Sequence, residues 1–391
     1  MKAGEAVSPL PAGSGLWLRL SEDQRLERDK YRRFSDERIV PNADSWDRAG
    51  EMPREAIDEL IAAGYLGSLL PGGGGPGLDP LLYGLLTEEI GRGCSSLRSL
   101  MTVHDMVSVT LARWGSTELK REFLPVLASC EVLGVLAISE PAIGSDAAGV
   151  TLEARRDGGD YVLDGTKRWI TFGRIANVVL TLARENDGKL TALLVDAPSP
   201  GLTRHPLQVS GTRASMLAEL RFEGCRVPAS RVVGRPGFGL SHVMATALDH
   251  GRYSVAWGSV GIAQACLNAS IIHASERRQF GKRLDEHQLV RRLLTEMISQ
   301  SQAARLLCCR AGTLRQDGDA GAIPETQLAK YFASRAAVSA ANDAIQIHGA
   351  WGLSEEMPLS RFLRDAKVTE IIEGSTQIIQ NTLPQYPLPE L

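Results

Sequence analysis

The residues best placed to do chemistry lie near the C-terminal end. Arg364-Asp365-Ala366-Lys367 is followed by Ile371-Ile372-Glu373-Gly374-Ser375-Thr376-Gln377. A carboxylate that follows two isoleucines, on a turn made by Gly374, sits in apolar surroundings. Partial burial disfavours the charged form, raises the pKa and makes a stronger base, which suits removal of a weakly acidic proton. The competing reading is a helix N-terminal glutamate held by the dipole, and this segment alone does not separate the two.

Three other stretches could hold a polar ligand. Ser139-Glu140-Pro141-Ala142-Ile143-Gly144-Ser145-Asp146 follows an apolar run directly, so amides and hydroxyls are presented at a strand end. Gly144 permits close approach, and Ser139 and Ser145 donate without bulk. A polar turn with a capping Asp fits as well. Trp169-Ile170-Thr171 offers an aromatic plane and a hydroxyl two residues apart, on one face of a strand; a plain core tryptophan is the alternative. Arg277-Arg278-Gln279-Phe280-Gly281, with His287-Gln288 downstream, puts guanidinium groups at a helix junction, which suits a pyrophosphate or merely a solvated corner. Gln346-Ile347-His348-Gly349-Ala350-Trp351-Gly352 places two glycines in a helical region, at a cost of roughly 1 kcal/mol each against Ala. A helix end closely approached by another group is expected there. Gly72-x-Gly74-x-x-Gly77 matches a dinucleotide fingerprint by letter, but Pro76 interrupts it and no alternating strand–helix pattern follows. It reads as an inter-helix loop.

These segments need elements to position them, and the chain changes texture twice. From Ser21 to about Cys130 the pattern is helical: a Ser21/Gln24 capping box, a stop at Pro41, a helix from Pro53 to Gly64, one from Asp79-Pro80 to about Gly91, and one over Ser96–Trp114. From about Gly134 to Leu240 short strands are expected at 135–139, 161–163, 169–172, 178–183, 190–195 and 217–222, separated by turns such as Asp164-Gly165, which indicates a mainly antiparallel barrel or sandwich. Beyond Leu240 the stretches 245–275, 285–316 and 324–348 carry apolar residues at helical spacing and suit a four-helix-type bundle. The expected architecture is mainly α with a central β domain: an arm over 1–20, a helical domain over 21–133, a β domain over 134–240 and a helical bundle over 241–391.

The 391 residues carry 43 basic and 46 acidic side chains, a formal net charge of −3, which gives no electrostatic case for nucleic acid or an anionic membrane. No uninterrupted apolar run approaches the ~20 residues of a membrane span, and Met1–Leu20 does not read as a signal peptide. The six cysteines lack CxxC spacing and read as reduced, mostly buried thiols, with the cytoplasm as the expected compartment and no metal site.

In this order and spacing, the Ser139–Asp146 stretch followed by Trp169-Ile170-Thr171, and the Gln346–Gly352 stretch followed by Arg364–Lys367 and Ile371–Gln377, resemble the acyl-CoA dehydrogenase family from about Ser21 onward. Ser215–Phe222 and Gly251–Gly258 most resemble a branch acting on acyl carrier protein-bound groups in polyketide extender-unit formation, of methoxymalonyl or hydroxymalonyl type. The resemblance implies FAD, an external electron acceptor, and a homodimer or homotetramer in which a neighbouring subunit completes the site. It implies flavin contacts from Leu136, Ile138, Ser139, Gly144, Ser145, Trp169 and Thr171, and contacts to the diphosphate and adenosine from Arg277, Phe280, His287, Gln288, Gln346, Gly349, Ala350, Ser375 and Gln377. Ser145, Asp249, Arg252 and Gly374 become substrate-side positions, and Glu373 the base. The thioester oxygen would be held by the Glu373 amide and a ribityl hydroxyl of FAD.

The chain departs from the family pattern in three places. It has Gly349-Ala350-Trp351-Gly352 where Gly-Gly-Asn-Gly is frequent, with His348 at a usually apolar position. Gly251 stands where some members carry the base, leaving Glu373 unopposed. Met216-Leu217 is less polar than in many relatives. The function implied is oxidation of a short acyl thioester, on carrier protein or CoA, as a three-carbon hydroxyacyl group. A general short-chain acyl-CoA dehydrogenase, a flavin-free binding protein on the same fold and an oxygen-using oxidase are the alternatives.

Overall fold

The computed structural model describes residues 20–70 and 77–387. Of the Gly72-x-Gly74-x-x-Gly77 stretch only Gly77 falls among them, and the arm over 1–19 lies outside the described residues.

Ser21 and Gln24 form the expected capping box at the start of α1 (Glu22–Phe34), and the helix runs on as a π turn to Ile39. Short α2 (Ala43–Ala49) and α3 (Arg54–Ala62) follow. Asp79 caps α4 (Pro80–Gly93), with Pro80 at the first position where its missing N–H is harmless. Next come α5 (Ser95–Trp114) and α6 (Thr117–Ala128). Helix α6 was not expected as a separate element; Gly115-Ser116 breaks it from α5, and Ser116 accepts the Leu119 amide.

The strands are β1 (Gly134–Ala137), β2 (Glu153–Asp157), β3 (Asp160–Ile170), β4 (Val178–Glu185), β5 (Leu190–Asp196), β6 (Leu202–Pro206), β7 (Ala218–Pro228) and β8 (Val232–Val233). They form one sheet in the order β6-β7-β3-β2-β4-β5-β8, with β1 on β4. Most pairings are antiparallel, as the turn signals indicate, but β1 and β2 each run parallel to β4. Two corrections concern β3. The segment 161–163 and the first two residues of 169–172 belong to one strand, which ends at Ile170 and passes Asp164-Gly165 as an irregularity against β7. A bulge needs a permissive backbone just as a turn does, so glycine there cannot tell them apart. Strands β2, β6 and β8 escaped notice because charged or short sequences such as Glu153–Asp157 lack the apolar alternation that marks a half-buried strand.

In β4 the two faces are buried in different clusters. Val179 and Ala183 join the core that extends to α4 and α5, while Val178, Leu180 and Leu182 pack with Leu111, Phe123 and Leu127 of α5 and α6. The β domain is thus clamped onto the N-terminal helices. The C-terminal part holds a two-residue hairpin, β9 (Arg278–Gln279) and β10 (Lys282–Arg283), between α7 (Ala245–Glu276) and α8 (Gln288–Gln316), then α9 (Ala322–His348), α10 (Leu359–Thr369) and α11 (Thr376–Thr382). Helix α7 is apolar enough by length to cross a membrane; here it is the central core helix, packed by α4, α5, α8 and α9. All six cysteines are buried free thiols, as expected.

Candidate active site

The Glu373 turn joins α10 to α11, and three elements pin it. Arg252 of α7 donates from Nε to the Glu373 carbonyl at 2.9 Å. Lys330 of α9, fully buried, donates from Nζ to the Gly374 carbonyl at 2.7 Å. Ser375 caps α11 by accepting the Ile378 amide at 3.3 Å. Glu373 itself has φ +55° and Gly374 φ +94°. A left-handed glutamate costs about 1–3 kcal/mol and persists only where its surroundings over-determine it; the two cations do so here.

The result is an inward-facing carboxyl. Oε2 of Glu373 is buried without a hydrogen-bond partner and abuts Gly251, where any Cβ would collide with it. Burial pushes the Glu373 carboxyl up to about 7, against the pull of Arg252, Lys330 and Arg98. Burial likewise lowers Lys330 to about 8. A base with a pKa near neutrality combines a useful deprotonated fraction with proton affinity. Among the described residues the Glu373 amide donates no hydrogen bond, so it is free to hold an oxygen on the substrate. Glu373 is not a helix N-terminal residue: α11 begins at Thr376, with Ser375 as its N-cap.

On the β side, Glu140 organises the Ser139–Asp146 segment. Its buried carboxylate accepts from Lys167 Nζ at 2.9 Å, from the Thr151 amide and hydroxyl at 2.8 and 2.7 Å, and from the Leu152 amide at 2.9 Å. Burial opposes ionisation, yet these bonds hold its carboxyl below the ordinary range. Lys167 also donates to the Ile138 carbonyl, and the Arg168 amide to Ser139. Leu136, Ile138 and Ser139 are half-buried, Gly144 and Ser145 exposed.

Trp169 and Thr171 do not alternate along a strand as expected. Strand β3 ends at Ile170, the ladder shifts between Lys167 and Ile170, and Trp169 has φ +66°. The indole therefore turns outward, 50 % exposed, with the Arg168 guanidinium 4.8 Å from its ring centre. An exposed aromatic plane beside hydroxyl donors and a rigid loop fits a planar ring system such as the flavin of FAD. Contacts then lead from this edge to α5 and to α10, the helix that precedes the Glu373 turn. The Phe172 amide donates to Ser215, the Ser215 hydroxyl meets Ser99 of α5 at 2.9 Å, and the Thr212 amide donates to Asp365 of α10 at 2.6 Å. Burial pushes Asp365 up to about 6.

The remaining expected binders gather elsewhere. Arg277, Phe280 and Gln288 are exposed at one end of the bundle, with His287 half-buried as the residue capping α8. Gln346, Gly349 and Ala350 are exposed at the same end, because His348 stacks on His273 of α7 with ring centres 4.1 Å apart. Helix α9 ends at His348 with Gly349 at φ +62°, the helix end its glycine signalled. Phe280, at the hairpin tip, is 95 % exposed. Arg277 lies 26 residues beyond Gly251 on α7, a span of ~39 Å. One chain does not bring this group to Glu373.

Two substrate-side expectations change. Arg252 supports the base through its carbonyl, and Gly374 presents its own carbonyl to Lys330. Asp249, two residues from Gly251, is turned roughly 200° around the helix. It pairs with Arg315 at 2.7 Å on the wall of a cavity of about 500 Å³ that Tyr83, Arg113 and His250 also line. Gln377 is exposed on α11. Sequence reasoning missed Lys330 and Arg98, whose helical neighbours look like ordinary core; the only signal was a lone cation on each apolar face.

The family models for the acyl-CoA dehydrogenase N-terminal, middle and C-terminal domains match residues 21–131, 135–225 and 237–385. The chain belongs to the acyl-CoA dehydrogenase family. The oxidoreductase class and the dependence on FAD follow with that membership. The chain is 35 % identical to glutaryl-CoA dehydrogenase of Desulfococcus multivorans, over 92 % of this chain and 95 % of that one. It is 36 % identical to the mitochondrial short-chain specific acyl-CoA dehydrogenase of Rattus norvegicus, over 92 % and 89 %. Among solved structures, FkbI, for biosynthesis of the methoxymalonyl extender unit of the Fk520 polyketide immunosuppressant, aligns with a TM-score of 0.83 and 34 % identity, covering 92 % of this chain and 98 % of that one.

Proposed function

We propose that this acyl-CoA dehydrogenase family member oxidises a short acyl thioester, with Glu373 as the base, and that its substrate is a three-carbon hydroxyacyl group on an acyl carrier protein, used for polyketide extender units. The observation that carries the chemistry is the buried, unpartnered Oε2 of Glu373 on a turn clamped by Arg252 and Lys330. Glu373 takes the proton beside the thioester carbonyl. Its own amide holds the carbonyl oxygen where negative charge develops, an arrangement typically worth ~2.7–4 kcal/mol per donor. Ser139, Ser145, Trp169 and Thr171 would hold the flavin ring, which supplies the hydride acceptor and the redox chemistry when FAD is bound.

Two findings favour a short acyl group. Arg98 packs against α7 at Gly258, two turns from Gly251, so closely that a Cβ there would collide with its side chain. The chain is also similar to a short-chain dehydrogenase. The carrier-protein reading rests on similarity to FkbI. Asp249 and Arg315, on the far side of α7, are available to the carrier arm and not to the acyl end. The exposed Arg277, Phe280, Gln288, Gln346, Gly349 and Ala350 would bind the diphosphate and adenosine of FAD held by a neighbouring subunit, since ~39 Å of α7 separates them from their own Glu373. This makes a homodimer or homotetramer part of the site.

The test is anaerobic mixing of FAD-loaded protein with short thioesters, each on CoA and on carrier protein. Parent protein should bleach the flavin with a hydroxyacyl carrier-protein thioester, and Glu373→Gln should slow bleaching ~10²–10⁴-fold. Bleaching by the variant at the parental rate removes Glu373 as base. Preference for CoA over the carrier protein removes the narrower substrate reading and leaves the wider one.

A further inference from the structure

A π turn over Gly239–Met244 leads into α7 and carries His242. Such turns are rare and gather at functional sites. The His242 ring stacks on Phe238 with centres 4.2 Å apart, and the Trp114 indole at the end of α5 meets it edge-on at 5.3 Å. Trp114 is locked there by Nε1, which donates to the Thr246 hydroxyl of α7 at 2.8 Å. All three rings are half-buried. A guanidinium lies over the aromatic at each end of the row: Arg113 is 5.4 Å from the Trp114 ring centre and Arg235 is 5.9 Å from that of Phe238.

Both arginines are exposed. Neither side chain meets a carboxylate or other acceptor among the described residues, in contrast to Arg231, which is taken up by Glu122 and Asp196. A guanidinium resting on a ring keeps its N–H edge free for an anion. In a chain with a formal net charge of −3 this is a local exception to the overall charge. Arg113 also lines the cavity of about 500 Å³ beside Asp249, so patch and cavity share a rim. The carboxylates on that wall are engaged: Asp249 pairs with Arg315, and Asp319 accepts the Gly321 amide.

The row extends well past what a small anion needs. Phosphates at the rim would be met by Arg113 and Arg315 alone, whereas three rings lead on from there to a second free cation. Half-buried apolar rings between two fixed cations suit an amphipathic protein surface whose carboxylates flank apolar side chains. His242 lies nine residues before Gly251, ~14 Å along the helix, a span that an extended phosphopantetheine arm covers.

We propose that Arg113, Trp114, Phe238, His242 and Arg235 form the docking surface for an acidic acyl carrier protein. This rests on the carrier-protein reading of the substrate. It adds to that reading the place where the carrier sits and the chemistry that recognises it.

The experiment uses the FAD-loaded protein and an acidic acyl carrier protein, prepared both without its arm and with the arm loaded with a 3-hydroxypropionyl group. Binding of the armless carrier is measured by calorimetry at rising salt. The parent should bind it, with affinity falling as salt rises. Arg113→Glu and Arg235→Glu should each weaken binding on the order of 10-fold, and Arg235→Lys should keep most of it. In anaerobic flavin reduction, Arg235→Glu should raise KM for the carrier thioester by a similar factor at unchanged kcat, and leave the same group on CoA within a few-fold. Its melting temperature and flavin content should match the parent. No binding of the armless carrier, binding indifferent to salt and to both charge reversals, or equal losses with CoA and carrier thioesters overturns the proposal. If the carrier thioester binds but does not reduce the flavin, the substrate reading fails, and the armless carrier still decides the docking surface.

Discussion

The two ends of α7 are built on opposite physical plans. Around Gly251 the groups are buried or half-buried and under-satisfied: an unpartnered carboxylate oxygen, a glutamate at positive φ, and cations that hold carbonyls in place of counter-ions. Beyond Glu276 everything is exposed: Arg277, an aromatic hairpin tip and the glycine end of α9. Reactivity needs groups kept from water and from each other's neutralisation, which one chain can do by burial. Holding a long dinucleotide needs only open donors and apolar faces, which can be left for another molecule to cover.

If this contrast is right, the largest effects come from the buried end. Gly251→Ala should improve local helix propensity yet drive a methyl into the Glu373 carboxylate. We expect flavin reduction to fall ~10²-fold, the scale of an ångström's misplacement, with flavin content unchanged; an unaffected rate in stopped flow would mean that the carboxylate does not work from this position. Next is Lys330→Met, which leaves the half-buried Gly374 carbonyl without its donor, at ~1–3 kcal/mol of stability by denaturant titration. It also removes a cation that holds the Glu373 carboxyl down.

The sign for activity follows. The deprotonated base is the working form, and its pKa lies near 7, so the rate should fall as pH drops through about 7. In Lys330→Met that acid limb should move to higher pH. A limb that stays put or moves down shows that the charge of Lys330 is not felt at the base.

The smallest effect is predicted at the open end. Phe280→Ala should change the stability of a single chain by no more than ~0.5 kcal/mol, as for other exposed sites. It should, however, release FAD several-fold faster and weaken assembly, read by flavin fluorescence and sedimentation. A loss of chain stability equal to that of Lys330→Met would erase the distinction between the two ends.

Much of the architecture could be read from the residues. The capping box at Ser21, Asp79-Pro80 and the glycine after His348 are local signals that fix element ends by backbone hydrogen bonding alone. Strands with charged or brief sequences, such as β2 and β8, could not, because cross-strand partners far along the chain make them strands. The same division runs through the site. The motifs around Glu373 and Ser139 carry their own turn chemistry, so they stood out. Lys330 and Arg98 did not, since a single cation in an apolar helix means nothing until its neighbours are known.

The sequence by itself determined which groups exist, where helices start and stop, and that one glutamate follows apolar residues on a glycine turn. Tertiary structure decided the rest. It turned Trp169 outward by a bulge, set Asp249 and Gly251 on opposite sides of α7, and gave Glu373 its basicity. That basicity comes from burial, which outweighs the opposing pull of three cations on α5, α7 and α9, none of them near Glu373 in sequence. Electrostatic environment depends on distance in space, and only the fold sets that distance.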